Sequence, residues 1–247
     1  MTKAPHVIKV GGSVLTGPRA YTRAAAFLAA RLAADPGRPI VAVVSAEHGT
    51  TDALLAAARD IVDPPAQTTL DLLWSTGELR SAALLALALQ ARGVASAAVN
   101  VHQAGLLCTD EDAPPGSACV RPLRLRALLD THDILVVPGF LARGAGDAVV
   151  SLGRGGSDLT AVLLAAGLGG ARCELLKDVP GYFTADPKRD PDARPLPSLS
   201  YERALAMADA GCQLVQRHAL AAARAQRVPL VISSIGHTTY TSITADS

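Results

Sequence analysis

The sequence predicts an α/β protein, a three-layer αβα sandwich around an open, mostly parallel central sheet. Three observations predict it. Apolar runs of four to seven residues, bounded by Gly, Pro and Asp, recur along the chain. Alanine-rich stretches of helical length alternate with them. The runs are apolar throughout rather than on alternate residues, which suits strands covered on both faces. Alternation of such strands with helices favours a parallel sheet between helical layers.

In chain order, "HVIKV" (6–10) reads as a strand, and a turn leads to a helix over about 18–34. "PIVAVVS" (39–45) is the second strand, a long helix covers about 68–91, and "ASAAVN" (95–100) is the third strand. "DILVVPG" (133–139) and "DAVVSL" (147–152) read as strands joined through the turn "FLARGAG". A helix over about 158–168 separates them from the strand "CELLK" (173–177). Helices over about 200–210 and 212–226 precede the last strand, "VPLVIS" (228–233). The proline-rich "DPKRDPDARPLPS" (186–198) lies between a strand and a helix, and reads as a long surface loop rather than a linker. All 247 residues are taken as one domain, about 1–150 forming one half and 151–247 the other.

Apolar residues at 49% and charged residues at 18% describe a globular rather than a disordered chain. The net charge of +1 gives no argument for nucleic acid or an anionic membrane as partner. No uninterrupted apolar run approaches the roughly eighteen residues of a membrane span. The segment "MTKAPHVIKVGGS" has no signal-peptide core, so a cytoplasmic location is expected. Cys108, Cys119, Cys173 and Cys212 lie far apart with no CxxC pair, which suits reduced structural thiols better than a zinc site. The six histidines form no convincing triad or metal spacing, and no metal-ligating set is predicted.

In an open parallel sheet, ligands bind beyond the carboxyl ends of the strands. The unusual residues of this chain fall at such ends: Lys9 with Gly11, Gly12 and Ser13; Ser45; "GRGGSD" with Arg154, Gly155, Gly156 and Asp158; and Lys177 with Asp178. Lys9 beside two glycines reads as an anion cradle, or as a tight turn with a solvated lysine. No Walker A loop is present, because the chain has no Gly-Lys pair. Of its nineteen arginines and four lysines, two lysines sit at strand ends beside glycine turns, where a compact ammonium differs from a guanidinium. "STGE" (75–78) reads in isolation as a capping box, Ser75 with Glu78. Arg154 and Asp158 read as a zwitterion clamp or as an intraloop ion pair. Tyr182 and Phe183 in "VPGYFTADP" can equally belong to the core.

Taken in order, "KVGGS" (9–13), "VVSAEHGTTD" (43–52), "STGELRSAALLALALQARG" (75–93), "VPGF" (137–140), "SLGRGGSDLTAVLLAAGL" (151–168), "KDVPGYFTADP" (177–187) and "SYERALAMADAGCQLV" (200–215) resemble the amino acid kinase superfamily, and within it the aspartokinase catalytic domain. The resemblance covers nearly the whole chain, and "STGE" followed by "LGRGGSD" is its most specific part. It implies an ATP-dependent kinase that phosphorylates the side-chain carboxylate of a free amino acid, L-aspartate first, to an acyl phosphate. Lys9, Asp158 and Lys177 would be catalytic. Gly11, Gly12, Ser13, Gly155 and Gly156 would hold phosphate. Ser45, Glu78, Arg154 and Asp158 would hold the amino acid, with Glu78 and Asp158 near its ammonium and Arg154 on its α-carboxylate. Lys177, Asp178, Tyr182, Asp186 and Lys188 would line the nucleotide pocket. The first half would bind the acceptor and the second the nucleotide. Mg2+ would arrive with ATP, bound mostly through phosphates, and a homodimer or higher homo-oligomer is implied. A carboxylate acceptor is ionised at neutral pH, so such chemistry needs no general base and turns on bringing two anions together.

The chain departs from the aspartokinase pattern at named places. Gln213 in "GCQLVQR" stands where those enzymes usually carry lysine, and Lys177 stands where they usually carry threonine. Lys177 would then supply the charge that Gln213 lacks. The loop "KVGGSVLTG" is closer to small-molecule phosphate kinases of the superfamily. Feedback control through further domains is not expected within this polypeptide. Two other readings stand beside the first: a kinase for another small carboxylate or phosphate, and a weakly catalytic nucleotide- or amino-acid-binding subunit.

Overall fold

The computed structural model describes residues 3–108, 118–170, 172–187 and 189–245. The first half contributes β1 (His6–Val10), α1 (Pro18–Ala34), β2 (Ile40–Val44), α2 (Thr50–Arg59), α3 (Gln67–Gln90), β3 (Ser96–Ala98), α4 (Val101–Ala104), β4 (Leu106–Leu107), β5 (Cys119–Val120), α5 (Leu123–Leu129), β6 (Ile134–Pro138), β7 (Leu141–Arg143) and β8 (Val149–Ser151). The second adds α6 (Gly156–Leu168), β9 (Cys173–Leu176), β10 (Ser198–Ser200), α7 (Tyr201–Asp209), α8 (Arg217–Ala225), β11 (Leu230–Ser233) and β12 (Thr241–Thr244).

Eight strands form the central sheet in the order β10-β12-β11-β9-β1-β2-β6-β3. Its one antiparallel pairing among the described residues is β11 with β12, so β12 and its parallel partner β10 run opposite to the other six strands. β2 and β6 are buried at every residue, as their continuous apolar sequences require between two helical layers. On one face α1 and α3 bury Leu28, Leu85 and Leu89 against Ile8, Ile40 and Ile134. On the other, α6, α7 and α8 pack Leu159, Leu163, Leu205 and Leu220 against Val7, Val43, Leu175 and Ile232. The predicted three-layer sandwich is the observed one. β1 meets β2 on one side and β9 on the other. That seam joins strands from the two halves of the chain, and it is where an open α/β sheet places its ligand crevice.

Several local expectations change. The strand expected at 147–152 lies outside the central sheet: β8 pairs with β7 in a second sheet ordered β5-β4-β7-β8. Residues 141–143, expected in a turn, are its partner strand. With only three residues and a glycine-containing turn each, these strands carry little pattern of their own, and the pairing makes them. α2 was not foreseen; it follows Gly49 at φ +81, a left-handed residue that redirects the chain after the β2 loop. The last helix begins at Arg217 rather than near 212. Ser75 caps nothing: α3 begins eight residues earlier, and the Ser75 hydroxyl donates back to the Leu72 carbonyl at 2.6 Å. Among the described helices α3 is long and apolar enough to cross a membrane, although no uninterrupted run suggested one; here its inward face fills the core.

Candidate active site

Lys9 is the fourth residue of β1, and its neighbours Ile8 and Val10 point to the α1–α3 face. Strand alternation therefore turns Lys9 toward α6. Asp158 lies in the first turn of α6, where the helix dipole favours a carboxylate. Lys177 immediately follows β9, the other neighbour of β1. The three meet: Lys9 Nζ is 2.9 Å from Asp158 Oδ1, and Lys177 Nζ donates to Asp158 Oδ2 at 2.7 Å. Burial by itself would raise the Asp158 carboxyl, but the two ammonium groups overcome it and hold it below the ordinary carboxylate range. Burial and the neighbouring Lys9 lower the Lys177 ammonium, against the pull of Asp158. One buried anion thus holds two cations side by side at the seam.

These residues line a cleft of about 1050 Å³ that also takes in Ser45, Glu78, Arg154, Gly155 and Gly156. Glu78 lies in the middle of α3, 4% exposed. Its Oε2 has no hydrogen-bond partner among the described residues, and burial raises its carboxyl to about 8 against the opposing pull of an Ala46 hydrogen bond and Lys9. Arg154 sits at the exposed tip of the turn between β8 and α6, with no ion pair among the described residues. The intraloop Arg154–Asp158 pair is therefore not formed, because the two lysines engage Asp158. That engagement sets Asp158 between the two lysines, while Glu78 keeps one oxygen without a hydrogen-bond partner among the described residues.

The glycine turns are more committed than the sequence suggests. The Gly11 N–H donates to the Leu176 carbonyl at 3.1 Å, and Gly156 N–H to Gly153 at 2.9 Å. Both amides are taken within the protein, whereas those of Gly12 and Ser13, and of Gly155 and Ser157 at the start of α6, have no carbonyl acceptor among the described hydrogen bonds. Gly155 has φ +71, and Gln216 packs on it where a Cβ would stand. Ser13 Oγ donates to Asp178 Oδ1 at 3.4 Å, which ties the β1 loop to the β9 loop.

Not every expected residue reaches the cleft. Tyr182 is buried in the core at 2% exposure, with burial raising its phenol, so its place as a nucleotide-pocket wall is not observed. Asp178 and Asp186 are exposed and lie outside the cleft lining, Asp186 with Arg189 at 3.9 Å. Lys188 lies outside the described residues. Gln213 and Lys177 both line the cleft. The sequence reading missed Asp71, Trp74, Phe140 and Gln216, which line it as well. Asp71 had a signal: it stands seven residues before Glu78, on the same helical face. Among the described residues no group of three His, Cys, Asp or Glu could hold a metal ion.

The model of the amino acid kinase family matches residues 5–234. The chain is 38% identical over 230 residues to an aspartokinase of Mycolicibacterium smegmatis, an alignment covering 92% of this chain and 54% of that one. It superposes on aspartate kinase from Synechocystis with a TM-score of 0.86 at 32% identity, covering 98% of this chain and 40% of that one. Escherichia coli aspartokinase III in complex with aspartate and ADP shares the fold, with a TM-score of 0.81 at 23% identity, over 98% of this chain and 65% of that one. The chain spans about half the length of the aspartokinase relatives it matches.

Proposed function

We propose, from the premise that this chain belongs to the amino acid kinase family, that it transfers the γ-phosphoryl group of ATP to the side-chain carboxylate of L-aspartate. One observation carries the reading. A buried carboxyl with one oxygen unpartnered, Glu78, and a guanidinium with no ion pair among the described residues, Arg154, share a single cleft with a lysine pair held by one aspartate. Glu78 and Arg154 suit the ammonium and α-carboxylate of a free amino acid. Lys9 and Lys177 suit the oxygens of a transferring phosphoryl group. Aspartokinase relatives of similar sequence support the acceptor.

In the reaction a side-chain carboxylate oxygen attacks the γ-phosphorus. The new O–P bond forms as the bond to the β,γ-bridging oxygen breaks, and ADP leaves with that electron pair. No proton moves, so the site needs cations rather than a base. Asp158 acts by keeping two ammonium groups together that would otherwise repel. Mg2+ would ride on the ATP phosphates and neutralise their charge, its ligands supplied largely by those phosphates. Strands of residues 1–150 would carry most of the acceptor grip and those of 151–247 the nucleotide, with Arg154 reaching back across the seam. ATP as donor supports a cytoplasmic location, and the exposed Leu72, Leu79 and Leu87 on the outer face of α3 support a homo-oligomer.

Trapping with hydroxylamine tests this directly. The protein, ATP, Mg2+ and a panel of amino acids should yield a hydroxamate with aspartate above all others. Lys9→Met should lower that turnover by about two orders of magnitude or more. ATP binding without hydroxamate from any amino acid would instead mark a binding subunit and overturn the proposal.

A further inference from the structure

Asp71 is a buried carboxylate of the cleft that the proposed chemistry leaves unused. It is 4% exposed, yet its carboxylate touches no cation among the described hydrogen bonds and ion pairs. Its oxygens take two neutral donors instead. Gln67 Nε2, one turn earlier on α3, donates to Oδ1 at 2.7 Å. The backbone N–H of Ser151 donates to Oδ2 at 3.1 Å. Ser151 ends β8, and three residues later the chain reaches Arg154. Glu78 lies two turns further along α3, about 10 Å from Asp71 at the helical rise and on the same face.

We infer that Asp71 is a positioning residue that fixes the span between Glu78 and Arg154, and so sets which amino acid the clamp accepts. The inference rests on the proposed acceptor reading. Glu78 belongs to a rigid 24-residue helix, whereas Arg154 belongs to a turn between a three-residue strand and α6. β8 sits in the smaller sheet, so the eight-stranded sheet does not set its distance from α3. The Asp71–Ser151 hydrogen bond is a direct tie between the two supports. Both ends of an α-amino acid's head group attach to one carbon, so the clamp fixes that carbon. The reach of the side-chain carboxylate to Lys9 then measures chain length, and a loosened clamp admits a longer acid.

A positioning role and a charge role differ in what an amide does. Asparagine keeps an oxygen for the Ser151 N–H, and its NH2 can donate to a turned Gln67 amide. Alanine keeps neither. We expect Asp71→Ala to raise the KM for aspartate about tenfold, to leave the KM for ATP within about twofold, and to narrow the preference for aspartate over glutamate. Asp71→Asn should stay close to the parent on all three. An unchanged aspartate KM in Asp71→Ala overturns the inference. So does an Asp71→Asn variant as impaired as Asp71→Ala, which would make the negative charge itself the working part. Amide exchange decides the tie without any turnover: the Ser151 N–H should exchange slowly in the parent and in Asp71→Asn. Fast exchange at Ser151 in the parent protein overturns the inference whether or not alanine at 71 permits folding. A parent protein with slow Ser151 exchange that makes no hydroxamate defeats the acceptor reading and with it the selectivity role.

Discussion

Glu78 enters the cleft neutral near pH 7, because burial raises its carboxyl to about 8. The ordinary value is near 4.5, so the folded chain holds a proton between the two values that the unfolded chain has lost. Stability tied to Glu78 is therefore full below about 4.5 and is lost as pH rises through about 8. An ammonium arriving beside it favours the ionised form, so binding should expel that proton. Calorimetry of aspartate binding at pH 7, in buffers of different ionisation enthalpy, should report proton release that Glu78→Gln abolishes. Buffer-independent heats would remove Glu78 from the ammonium position. Lys177 carries a second prediction. Lys177→Ala should lower kcat on the order of 100-fold, as loss of a charge acting on the transition state does. Gln213→Lys in the same chain should recover part of it, since both residues line the cleft. Unaltered turnover in Lys177→Ala would show that Lys9 suffices. The sequence made Lys9, Glu78, Arg154 and Lys177 legible because each is an uncommon residue at a strand end or within a specific motif. It left open the partners of Asp158 and the setting of Tyr182, because whether a carboxylate meets a ligand or a lysine, and whether a phenol faces a pocket or a core, depends on neighbours distant in the chain.

At the scale of elements, the site is a junction of three parallel strands and two helices. β1, β2 and β9 bring their carboxyl ends together, and loop-to-loop hydrogen bonds hold the rim: Ser45 N–H to Val10 at 3.3 Å and His48 N–H to Gly12 at 3.3 Å. Gly12 is where this junction is tightest, because a Cβ there would run into the Ala46 carbonyl. Gly12→Ala should cost about 1–3 kcal/mol of stability as the loops separate. It should also lower kcat, since Lys9 lies three residues away. Chemical denaturation beside initial rates would check both, and a variant as stable and as active as the parent would contradict the packing argument. The inner strands and long helices were readable because apolar period and length specify them. β4, β5, β7, β10 and β12 were not read as strands, having two to four residues each and depending on partners for their existence.

Across the whole molecule, a buried charge cluster joins the two halves on the face opposite α6. Glu174 of β9 is fully buried and receives Arg31 Nη2 of α1 at 2.7 Å and the Ser233 hydroxyl of β11 at 2.7 Å. His6 of β1 lies 3.6 Å from its other oxygen. Burial lowers the His6 imidazole to about 4, despite Glu174 and with nearby arginines helping. Between that value and the ordinary 6.5 the unfolded chain binds a proton that the folded chain refuses. Stability tied to His6 is thus full above about 6.5 and is lost as pH falls toward 4. The melting temperature should decline over that range, and less steeply in His6→Gln; parallel profiles would refute it. Composition, apolar period and glycine-flanked strand ends determined the fold class and the rim on which chemistry collects, because these follow from local pattern. Only the tertiary structure decided that Asp158 serves two lysines, that Gly11 spends its amide on β9, that Tyr182 belongs to the core and that Asp71 ties α3 to β8. Each of these is a choice of partner, and a partner is fixed by the distance between residues far apart in the chain.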